Sequence, residues 1–513
     1  MLSKVLSCSV LGIHAYQVYV EVDISTGLPA FATVGLPDSA VRESRERVSS
    51  AIGNAGFRFP LKRITINLAP ADVPKGGSSF DLPIAVGILT ATGQVSDQFL
   101  SSHLILGELS LSGAVRPIRG VLSMAMAGRD AGIRGIVIPR ENVREAAVVS
   151  GLEVRGVAHL QEIAGFLNGE VELEPASVDI GRLFGNPQKT HLDFSDVRGQ
   201  EHVKRALEVA AAGGHNILMI GPPGSGKTML ARRIPSILPD MTLEEALETT
   251  KIHSVSGLLK DGAALITVRP FRSPHHTISD AGLVGGGSVP KPGEVSLAHN
   301  GVLFLDELPE FRRSALEVLR QPLEDGAVQI SRARISIDYP SRFMLVCAMN
   351  PCPCGFLTDA ERGCTCTPVQ SQRYLSKLSG PLLDRVDIHI EVPRVSFKHL
   401  SQNRGGEGSP AIRDRVMRCR QIQWHRFRDL RKVYCNAQMG SRDIEKYCRI
   451  GGEAHGLLRE AIDHFSLSAR AYHRILKLSR TIADLDGRES IEVRDISEAI
   501  QYRCLDRENR SCG

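Results

Sequence analysis

The sequence lacks any apolar run of the roughly 18 to 20 residues that a bilayer-spanning helix needs. Its first residues soon reach His14 and Glu21, so we predict no membrane segment and a cytoplasmic protein. The sequence also lacks a strong charge imbalance, because 62 basic and 57 acidic side chains leave a net charge of +5. That balance permits nucleic-acid binding without indicating it. An ordinary hydrophobic content of 42% argues against global disorder, and 513 residues suffice for about three domains.

A glycine-rich segment in the middle of the chain carries a complete phosphate-binding pattern. It consists of Gly221, Pro222, Pro223, Gly224, Ser225, Gly226, Lys227 and Thr228. The apolar run from Asn216 to Ile220 precedes it, and a helix is expected to begin near Thr228. In such a unit, backbone N–H groups bind a polyphosphate, the lysine contacts its β and γ oxygens, and the threonine binds Mg²⁺. The segment therefore predicts a nucleoside triphosphate site.

Two further strand patterns end in polar residues that suit hydrolysis. Residues 301–305 form an apolar run that is followed by Asp306 and Glu307. We assign Asp306 to Mg²⁺ binding and Glu307 to polarising the attacking water. The apolar run 343–349 ends at Asn350, which we interpret as a sensor that positions this water. A simple turn-forming asparagine is the alternative.

The order of these motifs resembles that of the AAA+ magnesium-chelatase-like ATPases and, within them, of the ComM (YifB) family of competence proteins. The resemblance rests on the glycine-rich loop and on residues 269–276, 305–307, 350–355 and 380–385, and it runs over nearly the entire chain. It implies ATP and Mg²⁺ as cofactors. It also implies a homo-oligomeric ring, which we expect to be a hexamer.

The resemblance assigns roles to residues outside the phosphate loop. The segment that opens the motor is similar to the AAA+ segment that lies over the adenine, which makes Val197 and Gln200 nucleotide contacts. Arg385 matches the arginine finger, a guanidinium that enters the active site of the adjacent subunit. Arg470 matches the second sensor on the γ-phosphate, and Arg474, one turn later, is the alternative.

We expect an α/β protein in four parts. Residues 1–170 resemble the Lon-protease fold, an α+β domain, and residues 171–192 form a linker. Residues 193–395 form the AAA+ core, a parallel sheet around the phosphate loop with insertion hairpins and a cysteine loop. Residues 396–513 form a helical lid of the magnesium-chelatase C-terminal type.

The Lon-like domain is expected to be catalytically inactive. Its pattern predicts a strand at 16–22 and a charged helix at 39–55. Lon proteases pair a serine with a lysine that activates it. Ser79 falls at the serine position, but Leu122 stands where the lysine is expected, and the neighbouring Arg119 stays protonated. We interpret the domain as a scaffold, an oligomerisation surface or a DNA-binding ring.

Eleven cysteines in an intracellular ATPase are expected to be free thiols or metal ligands rather than disulfides. Four of them form two closely spaced pairs: Cys352, Cys354, Cys364 and Cys366. Four thiolates suit tetrahedral Zn²⁺, although two residues usually separate paired ligands and here there is one. We predict a structural zinc site, with four unliganded thiols as the alternative.

Two insertions in the core are candidate DNA contacts. Residues 326–337 alternate as a strand does, with Arg332 and Arg334 on one face. In related ring helicases such hairpins point into the central pore and touch DNA phosphates. A solvated strand or a contact between subunits is the alternative. The glycine-rich segment 285–293 adds Lys291 as a third candidate.

Two other polar groups have less specific patterns. We expect His275 and His276 to pack or form hydrogen bonds rather than bind a metal, because no carboxylate or cysteine is patterned beside them. The stretch after Ser409 is basic, which predicts either a DNA-binding helix or a solvated helix facing the neighbouring subunit. Its basic residues are Arg413, Arg415, Arg418, Arg420, Arg426, Arg428, Arg431 and Lys432.

The motif set predicts an ATPase, and the resemblance implies the work that it drives. The leading hypothesis is an ATP-dependent DNA translocase that promotes branch migration in homologous recombination during natural transformation. Its partners would be single-stranded and branched DNA and, with them, the recombination machinery. A chelatase-type protein-remodelling chaperone is the alternative, and a Lon-like ATP-dependent protease is a third hypothesis.

Overall fold

The protein is described here by a computed structural model covering residues 1–185, 192–260, 262–287, 290–332, 335–359, 361–395, 406–430, 433–465 and 467–503. Its contacts divide the chain into two compact units, each built from separate segments. The first unit consists of Met1–Pro187, Leu243–Thr267 and Ser331–Tyr339. The second consists of Gln188–Thr242, Val268–Ile330 and Pro340–Gly513. None of the described helices is long and apolar enough to cross a membrane.

In chain order, the strands are Leu2–Leu11 (β1), His14–Ser25 (β2), Ala30–Val34 (β3), Arg63–Ala69 (β4), His103–Ile105 (β5), Glu108–Leu109 (β6), Val115–Arg116 (β7), Gly135–Pro139 (β8), Glu153–Val157 (β9), Ile217–Ile220 (β10), Phe271–Arg272 (β11), Gly285–Gly286 (β12), Lys291–Pro292 (β13), Val302–Leu305 (β14), Ala327–Arg332 (β15), Ile335–Pro340 (β16), Met344–Met349 (β17) and Ile388–Glu391 (β18).

The helices are Ser39–Arg42 (α1), Ser44–Asn54 (α2), Asp81–Ala91 (α3), Val121–Asp130 (α4), Val143–Ala146 (α5), Leu160–Leu167 (α6), Ile180–Gly185 (α7), Glu201–Gly213 (α8), Lys227–Arg233 (α9), Leu243–Ser256 (α10), Asp280–Val284 (α11), Glu294–Leu297 (α12), Arg313–Glu317 (α13), Arg320–Asp325 (α14), Pro368–Leu375 (α15), Gly380–Leu383 (α16), Ser409–Phe427 (α17), Ser441–Tyr447 (α18), Gly452–Phe465 (α19), Ala469–Leu485 (α20) and Val493–Gln501 (α21).

The first unit has the α+β architecture that the sequence predicts. Its larger sheet has the order β1-β2-β4-β3, in which β3 runs parallel to β4 and the other pairs are antiparallel. A smaller parallel sheet has the order β5-β8-β9. The predicted strand at 16–22 is confirmed as part of β2, where Val18, Val20 and Val22 alternate into the core. The predicted helix at 39–55 is observed as two helices, α1 and α2.

Helix α10 lies in sequence within residues 193–395, the predicted AAA+ core, yet it packs within the first unit. Its Ser254 hydroxyl donates to the carboxylate of Glu145 and accepts the N–H of Gly120 at 3.0 Å. The same carboxylate accepts the N–H of Leu122 at 3.0 Å, and its burial raises the pKa of Glu145. Leu265, which follows α10, joins the apolar core of this unit. The insertion therefore completes the fold of the first unit.

Part of the predicted linker packs against the first unit. Ala176 donates its N–H to the carbonyl oxygen of Val154 at 2.8 Å, and the short helix α7 follows. Leu183 and Phe184 of that helix pack against the core of the first unit. These apolar contacts anchor the chain as far as residue 185.

The second unit is built on a five-stranded sheet with the order β11-β14-β17-β10-β18, and all of its pairs are parallel. Its inner strands β10, β14 and β17 are fully buried, which explains their continuous apolar sequences. Helices α17 to α21 form the carboxyl-terminal lid. Ile412 and Ile475 of the lid share one apolar core with Ile217 and Val346 of the sheet.

We predict that Ser254→Ala loosens the first unit, because it removes one hydrogen-bond donor from the buried carboxylate of Glu145 and leaves the Gly120 N–H without a partner. The expected cost is about 1–3 kcal/mol. Ser256→Ala is the matched control, because that hydroxyl bonds only to the carbonyl of Ile252 in its own helix, and a change within about 0.5 kcal/mol is expected. Hydrogen exchange at the amides of Gly120 and Leu122 measures the local effect. Equal protection in the two variants would contradict the prediction.

Candidate nucleotide site

The polar residues predicted for hydrolysis meet at one edge of the parallel sheet. Strand β17 pairs with β10 on one side and with β14 on the other, so the carboxyl ends of all three strands are neighbours. The phosphate loop, Asp306 and Asn350 follow these ends. The ammonium of Lys227 lies 3.3 Å from the amide oxygen of Asn350, although 123 residues separate them. The structure thus brings together the three motifs that the sequence kept apart.

The phosphate loop leaves no room for a side chain where it begins. A Cβ at Gly221 would lie 2.1 Å from the carbonyl oxygen of Val392, and Gly226 adopts a positive φ of 90°. The Lys227 ammonium donates to the carbonyl oxygens of Gly221 and Pro222 at 2.7 and 2.9 Å. Burial lowers the pKa of Lys227 to about 8. The oxygens of a triphosphate would offer this ammonium a charged partner in place of neutral carbonyls.

Thr228 and Asp306 form the pair that would hold the metal. The Thr228 hydroxyl donates to the Asp306 carboxylate at 2.6 Å. Neighbouring oxygen ligands of octahedral Mg²⁺ lie about 3 Å apart. A hydroxyl and a carboxylate at this separation therefore fit one Mg²⁺ ion.

Glu307 occupies an uncommon backbone conformation beside this pair. Its φ is 53°, in the left-handed region, and its N–H donates to Asp306 at 3.0 Å. Such conformations in non-glycine residues concentrate at functional turns. His276 places Nδ1 3.5 Å from a carboxylate oxygen of Glu307. The sequence predicts a packing or hydrogen-bonding role for His276 but does not identify Glu307 as its partner. The pairing of β11 with β14, which brings the two residues together, is visible only in the fold.

The two predicted adenine contacts have different surroundings. Val197 is fully buried in the core of the second unit. Gln200 has a positive φ of 60°, and its amide donates to the carbonyls of Ser225 and Pro393 at 3.0 and 2.8 Å. Gln200 thus ties the phosphate loop to the residues after β18. A contact of either side chain with adenine stays a prediction.

Arg385, predicted as an arginine finger, is nearly buried in its own chain. Its guanidinium forms an ion pair with Glu324 and donates to the carbonyl of Pro381 at 2.5 Å. The hydrogen bond to Glu324 joins two charged groups, and the Glu324 side chain is about half exposed to solvent. Arg385 would have to release Glu324 in order to reach another subunit.

The two arginines considered for the second sensor lie one turn apart on α20. Arg470 is exposed, with its guanidinium 3.5 Å from the carboxylate of Asp384. Arg474 is paired with the buried carboxylate of Asp387. Arg470 is therefore the more accessible of the two, and its contact with a γ-phosphate stays a prediction.

The four clustered cysteines converge as the zinc prediction requires. Their Sγ atoms all lie within 4.8 Å of one another in the set Cys352, Cys354, Cys364 and Cys366. The sulfurs of Cys352 and Cys364 are 3.7 Å apart, and those of Cys354 and Cys364 3.6 Å. Sulfurs at about 2.3 Å from a tetrahedral zinc lie about 3.8 Å from each other. Hydrogen bonds from loop N–H groups, first that of Phe356, lower the pKa of the Cys354 thiol to about 5. The geometry of the four sulfurs fits a tetrahedral zinc ion.

The predicted DNA contacts fall on two hairpins that touch. Lys291 is exposed in β13, which pairs with β12. A Cβ at Gly285 of β12 would lie 2.4 Å from the Lys291 carbonyl and 2.7 Å from the Ile330 side chain, so this hairpin packs against β15. Arg332 ends β15, whereas its side chain and the whole of Arg334 lie outside the described residues.

Helix α17 is basic in sequence but largely neutralised in the fold. Three of its arginines form ion pairs with acidic residues: Arg413 with Asp240, Arg415 with Glu208 and Glu407, and Arg426 with Asp484. Arg420 donates to the carbonyl of Ala211 at 3.2 Å. These contacts favour a packing role over DNA binding for this helix. Arg431 and Lys432 lie outside the described residues.

Three family models match successive parts of the chain. They are described as "Subunit ChlI of Mg-chelatase" over residues 20–142, "Magnesium chelatase, subunit ChlI" over 193–400 and "Magnesium chelatase, subunit ChlI C-terminal" over 406–503.

Similarity to individual relatives extends over almost the whole chain. The chain is 46% identical to the competence protein ComM of Haemophilus influenzae, with 98% of each chain covered. It is 46% identical to YifB of Salmonella typhimurium over 97% of this chain and 96% of the relative. It is also 46% identical to YifB of Escherichia coli over 99% of this chain and 98% of the relative. Identity at this level and coverage, together with the assembled phosphate-loop site, shows that the chain belongs to the ComM/YifB family of magnesium-chelatase-like AAA+ proteins.

Proposed function

We propose that this protein is an ATP-driven motor that moves DNA strands, extending branch migration when homologous recombination integrates DNA during natural transformation. The contact between Thr228 and Asp306, beside Lys227 and Asn350, supports ATP hydrolysis. Support for DNA as the substrate comes from the relative named as a competence protein. The proposed location is the cytoplasm, and the recombination machinery is a proposed partner.

Hydrolysis would use the residues at the sheet edge in separate roles. Thr228 and Asp306 hold Mg²⁺, which neutralises charge on the phosphates when bound. Lys227 exchanges its loop carbonyls for phosphate oxygens. Glu307 accepts the proton of the attacking water, and Asn350 holds that water by a hydrogen bond.

Catalysis would further require a homo-oligomeric ring, proposed as a hexamer. In this ring Arg385 stabilises the charge that develops on the γ-phosphate of the adjacent subunit. Its present partner, Glu324, is a carboxylate of its own chain. The finger would therefore exchange one negatively charged partner for another, which limits the electrostatic cost of the movement.

DNA would be held by the two touching hairpins in the ring. We propose that Arg332, Arg334 and Lys291 contact phosphates of single-stranded and branched DNA, because lysine and arginine bind phosphates irrespective of base sequence. A structural zinc ion in the cysteine cluster is part of the same proposal.

We predict that Lys227→Ala abolishes ATP binding, whereas Glu307→Gln binds ATP but hydrolyses it about 10²- to 10⁴-fold more slowly. The difference arises because only the second variant keeps the phosphate loop intact. Equilibrium binding of a fluorescent ATP analogue and phosphate release measure the two effects. Glu46→Gln is the control, because this exposed carboxylate pairs with Arg45 on the surface of the first unit. Wild-type rates of hydrolysis in both site variants would refute the assignment.

We predict that mixing Arg385→Ala subunits with Lys227→Ala subunits restores part of the ATPase activity that each lacks alone. Some interfaces in the mixed ring would join an intact phosphate loop to an intact finger. Steady-state ATPase rates across a series of mixing ratios measure the effect. If every mixture stays as inactive as its components, Arg385 does not act across an interface.

We predict that single-stranded or four-way-junction DNA stimulates ATP hydrolysis and that Arg332→Ala weakens DNA binding equally for all sequences. The slope of log K against log salt should fall by about 0.7–0.9 for each lost phosphate contact. Arg332→Lys should restore much of the binding, because a point charge suffices for a phosphate.

The control for this experiment is Arg418→Ala, which removes the same charge from α17. It should leave DNA binding and DNA-stimulated hydrolysis unchanged. Hydrolysis that no DNA stimulates would favour the protein-remodelling alternative, and cleavage of casein would favour the protease.

A further inference from the structure

The cysteine cluster begins beside a residue of the hydrolytic site. One residue separates Cys352 from Asn350 at the end of β17. The Asn350 amide oxygen lies 3.3 Å from the Lys227 ammonium. Cys352 is fully buried, so the first thiol of the cluster is fixed close to the phosphate loop.

The loop between the cysteines also packs directly on the phosphate loop. Gly355 has a φ of 83°, and its N–H donates to the carbonyl of Cys352 at 3.0 Å. A Cβ at this position would lie 2.6 Å from the Pro223 ring and 3.7 Å from the Asn350 amide carbon. Real Cβ atoms do not approach another heavy atom to 2.6 Å, so the absence of a side chain at Gly355 permits the close contact with Pro223.

The other end of the cluster reaches Asn350 through a helix. Helix α15 begins at Pro368, two residues after Cys366, and Thr367 and Gln370 cap its start reciprocally. Tyr374 near the end of this helix is mostly buried, with its hydroxyl beside the backbone of Asn350. Burial raises the pKa of Tyr374 to about 12, so the hydroxyl stays neutral. Asn350 therefore lies beside Gly355, near the start of the cysteine cluster, and beside Tyr374, in the helix that follows the cluster.

One cavity joins the thiols to the carboxylate proposed as the base. Its volume is about 780 Å³, and its lining includes Cys354, Cys366, Tyr374, Asn350 and Glu307. A displacement of the cysteine loop would therefore change the walls around the site of hydrolysis. A zinc site remote from the nucleotide would have no such consequence.

We propose that the cysteine loop is a positioning element of the hydrolytic site, in which one bound zinc ion fixes the loop against Pro223 and Asn350. The zinc touches neither nucleotide nor water in this role. The inference rests on the proposed ATP hydrolysis and requires no DNA. It predicts that loss of the metal lowers kcat and leaves ATP binding largely intact, because Lys227 keeps its phosphate contacts.

The first test removes the metal from the wild-type full-length chain. Freshly purified protein should carry about one zinc per chain. A zinc-selective chelator, followed by return to Mg²⁺ buffer, should lower kcat about 10- to 100-fold, the range for groups that support a site indirectly. The Kd of a fluorescent ATP analogue should change less than about threefold, a small part of that range, and added zinc should restore kcat. Freshly purified protein without zinc, or full activity after zinc removal, would overturn the proposal.

The second test is Gly355→Ala, which pushes the loop away from Pro223 without removing a thiol. We expect unchanged zinc content and a kcat lowered about 10- to 100-fold. Gly363→Ala is the control in the same loop, because nothing lies within 4 Å of an added Cβ there. Gly487→Ala controls for backbone strain, because it combines a φ of 69° with open space. Both controls should hydrolyse ATP at the wild-type rate.

The outcomes separate this inference from the proposed motor. If the wild type is active and the zinc-bound Gly355→Ala variant has the same kcat, the positioning role alone is overturned. A wild type that hydrolyses no ATP would overturn the motor itself. The metal-removal test needs no substitution, so it decides the question if the variant is unstable.

Discussion

The register of the parallel sheet is the constraint on which the nucleotide site depends. Asn216, just before β10, holds this register on both sides. Its side chain accepts the N–H of Leu345 at 2.8 Å and donates to the carbonyl of Arg385 at 2.9 Å. A slip of one residue would turn alternate side chains to the opposite faces of the sheet. It would also separate Thr228 from Asp306, and with them the metal-binding pair.

At the opposite, amino-terminal ends of the strands, the lid contacts the segment that carries the proposed finger, which precedes β18. Arg470 and Arg474, one turn apart on α20, pair with Asp384 and Asp387 on either side of Arg385. Burial alone would raise the pKa of Asp387, but the charge of Arg474 holds it below its usual range. A movement of α20 would therefore be transmitted to the finger segment.

The first unit has a buried hydrogen-bond network around Leu122. Ser79 is buried, and Leu122, which the resemblance to Lon proteases places at the position of their lysine, is fully buried. The backbone of Leu122 instead binds Glu145, which Ser254 of the insertion helix also contacts. These contacts make α10 part of this unit's core, although its sequence lies within the motor.

The sequence alone determined the phosphate loop, the two carboxylates, the family and the fold class, because these features depend on short motifs and on local hydrophobic periodicity. The tertiary structure alone decided which distant groups meet. The contact of His276 with Glu307 requires the pairing of β11 with β14, and the packing of Gly355 on Pro223 requires the cysteine loop to fold back. Charge was the least predictable property from sequence. The arginines of α17 form a basic cluster along the chain, but their acidic partners come from other helices and loops, so only the folded chain shows that these charges are paired.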